Sequence, residues 1–380
     1  MKQPSSPGRQ DACATLCPPP PPAFPSVQIK ANADDFIVEE LPLYEPCGVG
    51  THTYIQIEKR EMNTHDATRR LATLLGKRAP DCGVAGLKDA RAVTRQWISF
   101  EHVKEELLEN YSDPRLRIIK VSRHGNKLKM GHLRGNRFLI RLRLADAAGL
   151  PVLALRSSEV LAALSLSGIP NFFGEQRFGW GGENGALGKM LVKGEVDAFS
   201  KAYTERSNGG RPADRRMRNL LVNAFQSELF NQVLAMRMPE IGKVMAGDLA
   251  WLHRNGAVFA IGTDEEVARE QLRADMFEIS PSGPLFGPKC LLPAGKPGEI
   301  ERQVLGEAGV TMDEFGRREA ERQPGARRSL RIPFVEKPVA ELEADAVKLS
   351  FALPPGAYAT IVLREITGAA TDAAIGGDAS

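Results

Sequence analysis

Residues 53–58, Thr-Tyr-Ile-Gln-Ile-Glu, alternate polar and apolar side chains, the period of a strand with one buried face. Two shorter runs, at 27–30 and 35–39, precede it and read the same way. Asn63-Thr-His-Asp-Ala then carries helix-capping residues, Leu71, Leu74 and Leu75 supply an apolar face, and Gly76 closes the element. Apolar runs at 84–87 and 97–100 read as two strands joined by a polar connection that begins at Lys88-Asp89. Two more strands, at 116–121 and 138–144, lie on either side of the Gly-rich basic segment 124–137. The period then changes. Leu221, Phe225, Leu229 and Val233 recur every four residues, which predicts a long helix over 219–238. Charge-rich helical stretches are predicted at 264–276 and 311–323. Residues 347–353 and 358–366 return to short β-like runs around Pro354-Pro355-Gly356.

Strands, then helices, then strands predict an α+β domain interrupted by an inserted, more helical one. The 380 residues suit two domains, or three. Residues 1–26 contain five consecutive prolines and little that could build a core, so they are predicted to be disordered, and the tail 368–380 to be flexible. Hydrophobic residues at 42% and charged residues at 26% fit a soluble globular protein. Five scattered cysteines fit a reducing cytoplasm better than a disulfide framework. No apolar stretch is read as long enough to span a membrane, and the N-terminus lacks a secretory h-region.

Several chemistries lose their sequence support. Neither His-Glu-x-x-His nor Cys-x-x-Cys occurs, so no metal site is expected. Residues 182–189 miss the phosphate-loop spacing by one, with Met190 where Ser or Thr should hold magnesium. Gly48-Val-Gly50 lacks the third glycine of a dinucleotide fingerprint, and there is no Gly-x-Ser-x-Gly.

Three features remain. The formal charge is only +3, yet residues 115–143 hold ten Lys or Arg and no Asp or Glu. Such a run is often a solvated strand face; its Gly, Asn and His content points instead to phosphate contacts. Asp89, between Lys88 and Arg91, would stay ionised there and could act as nucleophile or base. It could equally cap a helix starting at Ala90. Asn171-Phe-Phe-Gly-Glu-Gln-Arg-Phe-Gly-Trp180 is either a Phe-rich domain junction or a platform for unstacked bases.

Taken in order, these segments resemble the TruD family of tRNA pseudouridine synthases. The motifs that carry the resemblance are Lys30-Ala-Asn-Ala-Asp-Asp-Phe36-Ile-Val-Glu39-Glu40, Gly86-Leu-Lys88-Asp89-Ala-Arg91-Ala-Val-Thr94-Arg-Gln96 and Gly131-His-Leu-Arg134-Gly-Asn136-Arg137-Phe138. Pro170-Asn-Phe-Phe-Gly174-Glu-Gln-Arg-Phe-Gly179, Gln226-Ser-Glu-Leu-Phe-Asn231 and Gly356-Ala-Tyr-Ala-Thr360 with Leu363-Arg-Glu365 extend it to about residue 367. Ala90 departs from the pattern, where a basic residue is common.

The resemblance implies an α+β pseudouridine-synthase core, a mixed and largely antiparallel sheet with flanking helices, over 27–167 and 331–367. An α/β insertion domain would occupy 168–330, and tRNA would enter the cleft between them. The implied activity is isomerisation of uridine at position 13 to pseudouridine. Asp89 would be the catalytic aspartate and Lys30 its charge partner. Phe138 would stack on the target base, Asn136 and Phe36 would flank it, and Lys88, Arg91, Arg134 and Arg137 would contact the RNA. No cofactor is expected for a redox-neutral isomerisation, nor a protein partner; the chain would be a cytoplasmic monomer. Two alternatives stay open: an RNA-binding protein without activity, and a nucleosidase using Glu39, Glu40 or Glu175 as a second acid.

Overall fold

The structure, a computed structural model, describes residues 27–88, 92–207 and 212–368. The proline-rich extension, Asp89, Ala90, Arg91 and the residues after 368 lie outside that description. The chain begins with β1 (Gln28–Ile29), β2 (Phe36–Pro42), β3 (His52–Arg60), α1 (Thr64–Leu74), β4 (Gly83–Val84) and β5 (Val93–Glu101). The short α2 (Glu106–Glu109), β6 (Leu116–His124), β7 (Leu133–Arg143) and α3 (Leu150–Ser167) follow. Next come β8 (Ile169–Pro170), α4 (Glu183–Lys193), α5 (Val196–Arg206), α6 (Arg215–Arg237), β9 (Leu249–Leu252) and β10 (Val258–Ala260). Then α7 (Asp264–Asp275), β11 (Ile279–Leu285), α8 (Gly295–Ala308), β12 (Ala326–Ser329) and β13 (Arg331–Ile332) lead to β14 (Glu336–Leu342), β15 (Val347–Leu353) and α9 (Ala359–Thr367).

Two compact units result, and their described parts are 27–165 with 333–368, and 166–332. The first is organised by one sheet in the order β14-β15-β7-β2-β5-β3-β6, with β1 beside β7 and β4 beside β5. Among these pairs only β2·β5 is parallel. The sheet is mixed and largely antiparallel, as expected.

Alternation sorts the two faces of this sheet. Ile55, Ile57, Ile98 and Phe100 share a cluster with Ala67, Leu71, Ala72 and Leu75 from α1 and the residue that follows it. Asn63 caps α1 as its sequence predicts, its Oδ1 accepting from the Asp66 N–H at 2.8 Å. Burying a side chain such as Leu71 contributes about 1.5–3 kcal/mol. The other face carries Gln56, Glu58, Arg95 and Trp97, paired in register between β3 and β5.

The unit Leu166–Ile332 is built around α6. Leu221, Phe225, Leu229 and Val233 face inward, clustered with Leu187 and Leu191 of α4, Val304 of α8, and Phe315. At Gly188 a Cβ would sit 2.1 Å from the Leu221 carbonyl oxygen, so α4 meets α6 where only glycine fits. The antiparallel sheet β10-β9-β11-β12 completes this unit, with β8 paired to β13.

Three sequence expectations need correction. Residues 358–366 form α9: Ala359, Val362, Leu363 and Ile366 are buried at helical spacing, while their β-branched content suggests a strand. Residues 311–323 form only the 3-10 turn Asp313–Gly316, and Glu321 and Arg322 both take φ of 53°, which ends any helical path. Residues 147–167 are long and apolar enough, by length and composition alone, to cross a membrane. Leu150, Leu153, Leu161 and Leu164 form a buried stripe, while Val152, Leu155 and Leu166 on the same helix are exposed, the pattern of a helix packed by one face.

Candidate active site

The parallel pair β2·β5 brings Ile37, Val38 and Glu39 beside Val93, Thr94 and Arg95. β5 starts four residues after Asp89, so the site is built from what brackets that segment. On its near side stands Lys88. Its backbone N–H donates to Thr64 Oγ1 at 2.9 Å, and its carbonyl accepts from Lys59 Nζ at 3.3 Å. Thr64 Oγ1 in turn is 3.1 Å from Gln96 Oε1. The loop is thereby tied to α1, β3 and β5.

The Lys88 side chain turns inward. Its Nζ lies 3.0 Å from Glu40 Oε2, and Glu40 Oε1 accepts the Trp97 N–H at 3.3 Å. Glu40 is 2% exposed. Burial pushes its carboxyl above the usual range, while the Lys88 ammonium beside it pulls the other way. The resemblance implies that Lys88 contacts RNA; in this structure its ammonium pairs with Glu40. The opening motif runs through Glu40 without giving it a role, and Lys59 lies outside the motifs. The signal lies in the alternation, for each is a charge at an inward position, Phe36-x-Val38-x-Glu40 and Ile55-x-Ile57-x-Lys59.

Three aromatic rings line the same face one strand over. Phe138 of β7 pairs in register with Val38 and with Phe351 of β15. Its ring stacks on Phe351 at 5.5 Å and meets the edge of Phe36 at 6.3 Å. Lys30, with φ of 62°, holds its ammonium 4.5 Å from the centre of the Phe36 ring. Asn136 pairs with Glu40 and Leu353. Among the described residues, Asn136 Oδ1, Thr94 Oγ1 and Gln96 Nε2 are buried with no hydrogen-bond partner. An orphaned buried polar atom costs about 1–3 kcal/mol, and these three share one sheet face.

The basic run divides. Six of its ten cations meet carboxylates: Arg117 with Glu58, Arg123 with Glu105, Arg134 with Glu336, Arg137 with Glu39 and Glu336, Arg141 with Glu343, and Arg143 with Asp35 and Asp345. The β7 arginines find acids on β14 and beyond, some two hundred residues later, and Arg137 and Arg143 also meet Glu39 and Asp35 well before the run, so the run alone could not reveal the compensation. Arg134 and Arg137 also line a cavity of about 500 Å³ with Glu39, Gln56, Trp97 and Lys120. Of the acids considered for hydrolysis, Glu39 pairs with Arg137 and Glu40 with Lys88, while Glu175 belongs to the other unit.

In that unit, the 171–180 segment packs. Phe172, Phe173 and Phe178 are buried, the Arg328 guanidinium lies 4.2 Å from the centre of the Phe173 ring, and Asn231 brackets the Phe173 backbone at 2.9 and 3.0 Å. This favours the packing reading over a base platform. Among the described residues no three His, Cys, Asp or Glu side chains are grouped to hold a metal ion.

The family model for tRNA pseudouridine synthase D (TruD) matches residues 26–216 and 207–366. A tRNA pseudouridine synthase D of Geobacter metallireducens is 40% identical, covering 89% of this chain and 94% of that protein. One from Anaeromyxobacter dehalogenans is 42% identical, covering 89% and 92%. A crystal structure of a putative tRNA pseudouridine synthase D from Methanosarcina mazei superimposes with a TM-score of 0.76 at 26% identity, covering 90% of this chain and 94% of its own.

Proposed function

The chain belongs to the tRNA pseudouridine synthase D family, and from that premise we propose that it converts uridine 13 of tRNA to pseudouridine through Asp89. The N1–C1′ bond breaks, the uracil turns, a C5–C1′ bond forms, the C5 proton leaves to solvent and N1 takes one up. Atoms and electrons balance without a redox partner.

One observation carries the reading. The residue directly before Asp89 is anchored by a buried ion pair and a backbone hydrogen bond to Thr64, on the sheet face that carries Phe36, Phe138 and three unpartnered polar atoms. Catalysis by a carboxylate depends on its position more than on raw acidity, and Lys88 is the described residue through which the fold can act on that position. We assign the chemistry to the unit of residues 27–165 and 333–368. Asp89 attacks C1′, adds to C6, or removes the 2′ proton of an eliminated intermediate; Lys30 keeps it ionised. Phe138 replaces part of the stacking lost when the base is flipped out, and the Asn136 amide offers its free Oδ1 to an edge of the uracil.

The test uses tRNA tritiated at C5 of uridine, with wild type and Asp89→Asn side by side. Tritium release by the wild type alone, with the base still attached, supports the assignment. Free uracil would indicate a nucleosidase. Binding without any release would leave an RNA-binding protein.

A further inference from the structure

Four of the ten cations of the basic run meet no carboxylate among the described residues, and one of them, Arg115, stands beside Arg117, whose contact with Glu58 is long and exposed. Arg115 and Arg117, at the start of β6, line a cavity of about 360 Å³ with Arg60, Glu58 and Asp113. Each carboxylate there already has an arginine outside the lining. Glu58 Oε2 is 2.9 Å from Arg95 Nε, and Asp113 is bonded by Arg70. Arg60 reaches Asp34 at 2.8 Å, and Arg60 and Arg117 approach Glu58 only at 3.6 and 3.5 Å. Five arginines thus face three carboxylates, an excess of two positive charges. The Arg117 side chain is 69% exposed, and Arg115 is exposed and makes no ion pair among the described residues. Arg60 is the register partner of Val93 and Glu58 of Arg95 and Arg117, so the cavity stands near the start of β5 on the sheet face opposite Phe36, Phe138 and Asn136.

We propose that this cavity is a phosphodiester-binding subsite that holds a backbone phosphate of the bound RNA, away from the target uridine, through Arg60, Arg115 and Arg117. Guanidinium forks give a phosphate two parallel hydrogen bonds, and Glu58 presets the direction of Arg60 and Arg117 without neutralising them. The proposal rests on RNA being the substrate.

The test measures binding of an unmodified tRNA transcript by the full chain across a series of salt concentrations, with steady-state tritium release alongside. Arg115→Glu and the double variant Arg115→Ala/Arg117→Ala are compared with wild type. The subsite predicts several-fold weaker binding, a higher KM with kcat within about twofold, and a salt slope lowered by about 0.7–0.9 for each phosphate no longer held. Melting curves of both variants, measured alongside, separate a loss of binding from a loss of fold, since Arg115 and Arg117 are both exposed. Wild-type affinity, slope and KM in both variants would overturn the subsite. Absence of tritium release by the wild type would instead overturn the synthase reading, and the salt slopes still report on the subsite.

Discussion

Lys88 and Glu40 form a buried ion pair at 3.0 Å across 48 residues of sequence, and Lys88 is the residue before Asp89. Removing one partner leaves the other charge stranded. Glu40→Gln should therefore cost about 3–5 kcal/mol in urea unfolding. Glu40→Leu/Lys88→Met should recover most of that stability yet keep kcat low, because the anchor next to Asp89 is gone. Wild-type stability in Glu40→Gln would remove the pair from its anchoring role.

Phe138 is packed between Phe36 and Phe351, so Phe138→Ala should lower stability by about 3–5 kcal/mol. Phe138→Leu separates packing from stacking. It should stay within about 1.5 kcal/mol of wild type while losing at least tenfold in kcat/KM. A Leu variant with full turnover would take the base-stacking role away from this ring.

Gly135 lies where β7 meets the end of β15. A Cβ there would sit 2.3 Å from the Leu353 carbonyl oxygen and 3.3 Å from Val335 Cγ2. Backbone cannot yield as a flexible side chain would. Gly135→Ala should cost about 1–3 kcal/mol by thermal unfolding and lower kcat by shifting Asn136 and the Phe138–Phe351 stack. A melting curve identical to wild type would contradict the close approach.

His253 in the other unit is held at about 4, by burial first and by the Arg331 charge second, with Nε2 2.9 Å from Ser280 Oγ. A depressed imidazole means that the unfolded chain binds more protons between the ordinary value near 6.5 and about 4. Stability is thus intact above that window and falls as pH drops through it. The loss by pH 5 should be about 1–2 kcal/mol after solvent screening. Melting temperatures at pH 7 and pH 5 should fall further for wild type than for His253→Gln; equal losses would clear His253 of the effect.

Local rules make β3, α1 and α6 legible, because each buries one regular stripe and α1 carries its own cap. α9 reads as a strand since Ile361, Val362 and Ile366 favour strands, while their spacing is helical. The site is half legible. Motif residues name Phe36, Asn136 and Phe138, which register then brings onto one sheet face. The carboxylates that neutralise Arg137, Arg141 and Arg143 stay hidden, since charge along a segment says nothing about strands that join it much later. Glu40 is visible as a misplaced charge in an inward register, which is a usable signal wherever a strand alternates cleanly.

Strand β15 lies between β14 and β7, although roughly two hundred residues separate Arg143 from Val347. On the ribosome, β7 is therefore made with its outer edge unpaired along the stretch that β15 will cover. At about 5–20 residues per second that edge waits roughly 10–40 s for its partner. A bare strand edge is a template for wrong pairing, so nascent chains of this protein should need chaperone cover in that interval. Phe351, which backs the Phe138 ring, arrives only when the edge closes. Catalytic competence is accordingly among the last properties the growing chain acquires.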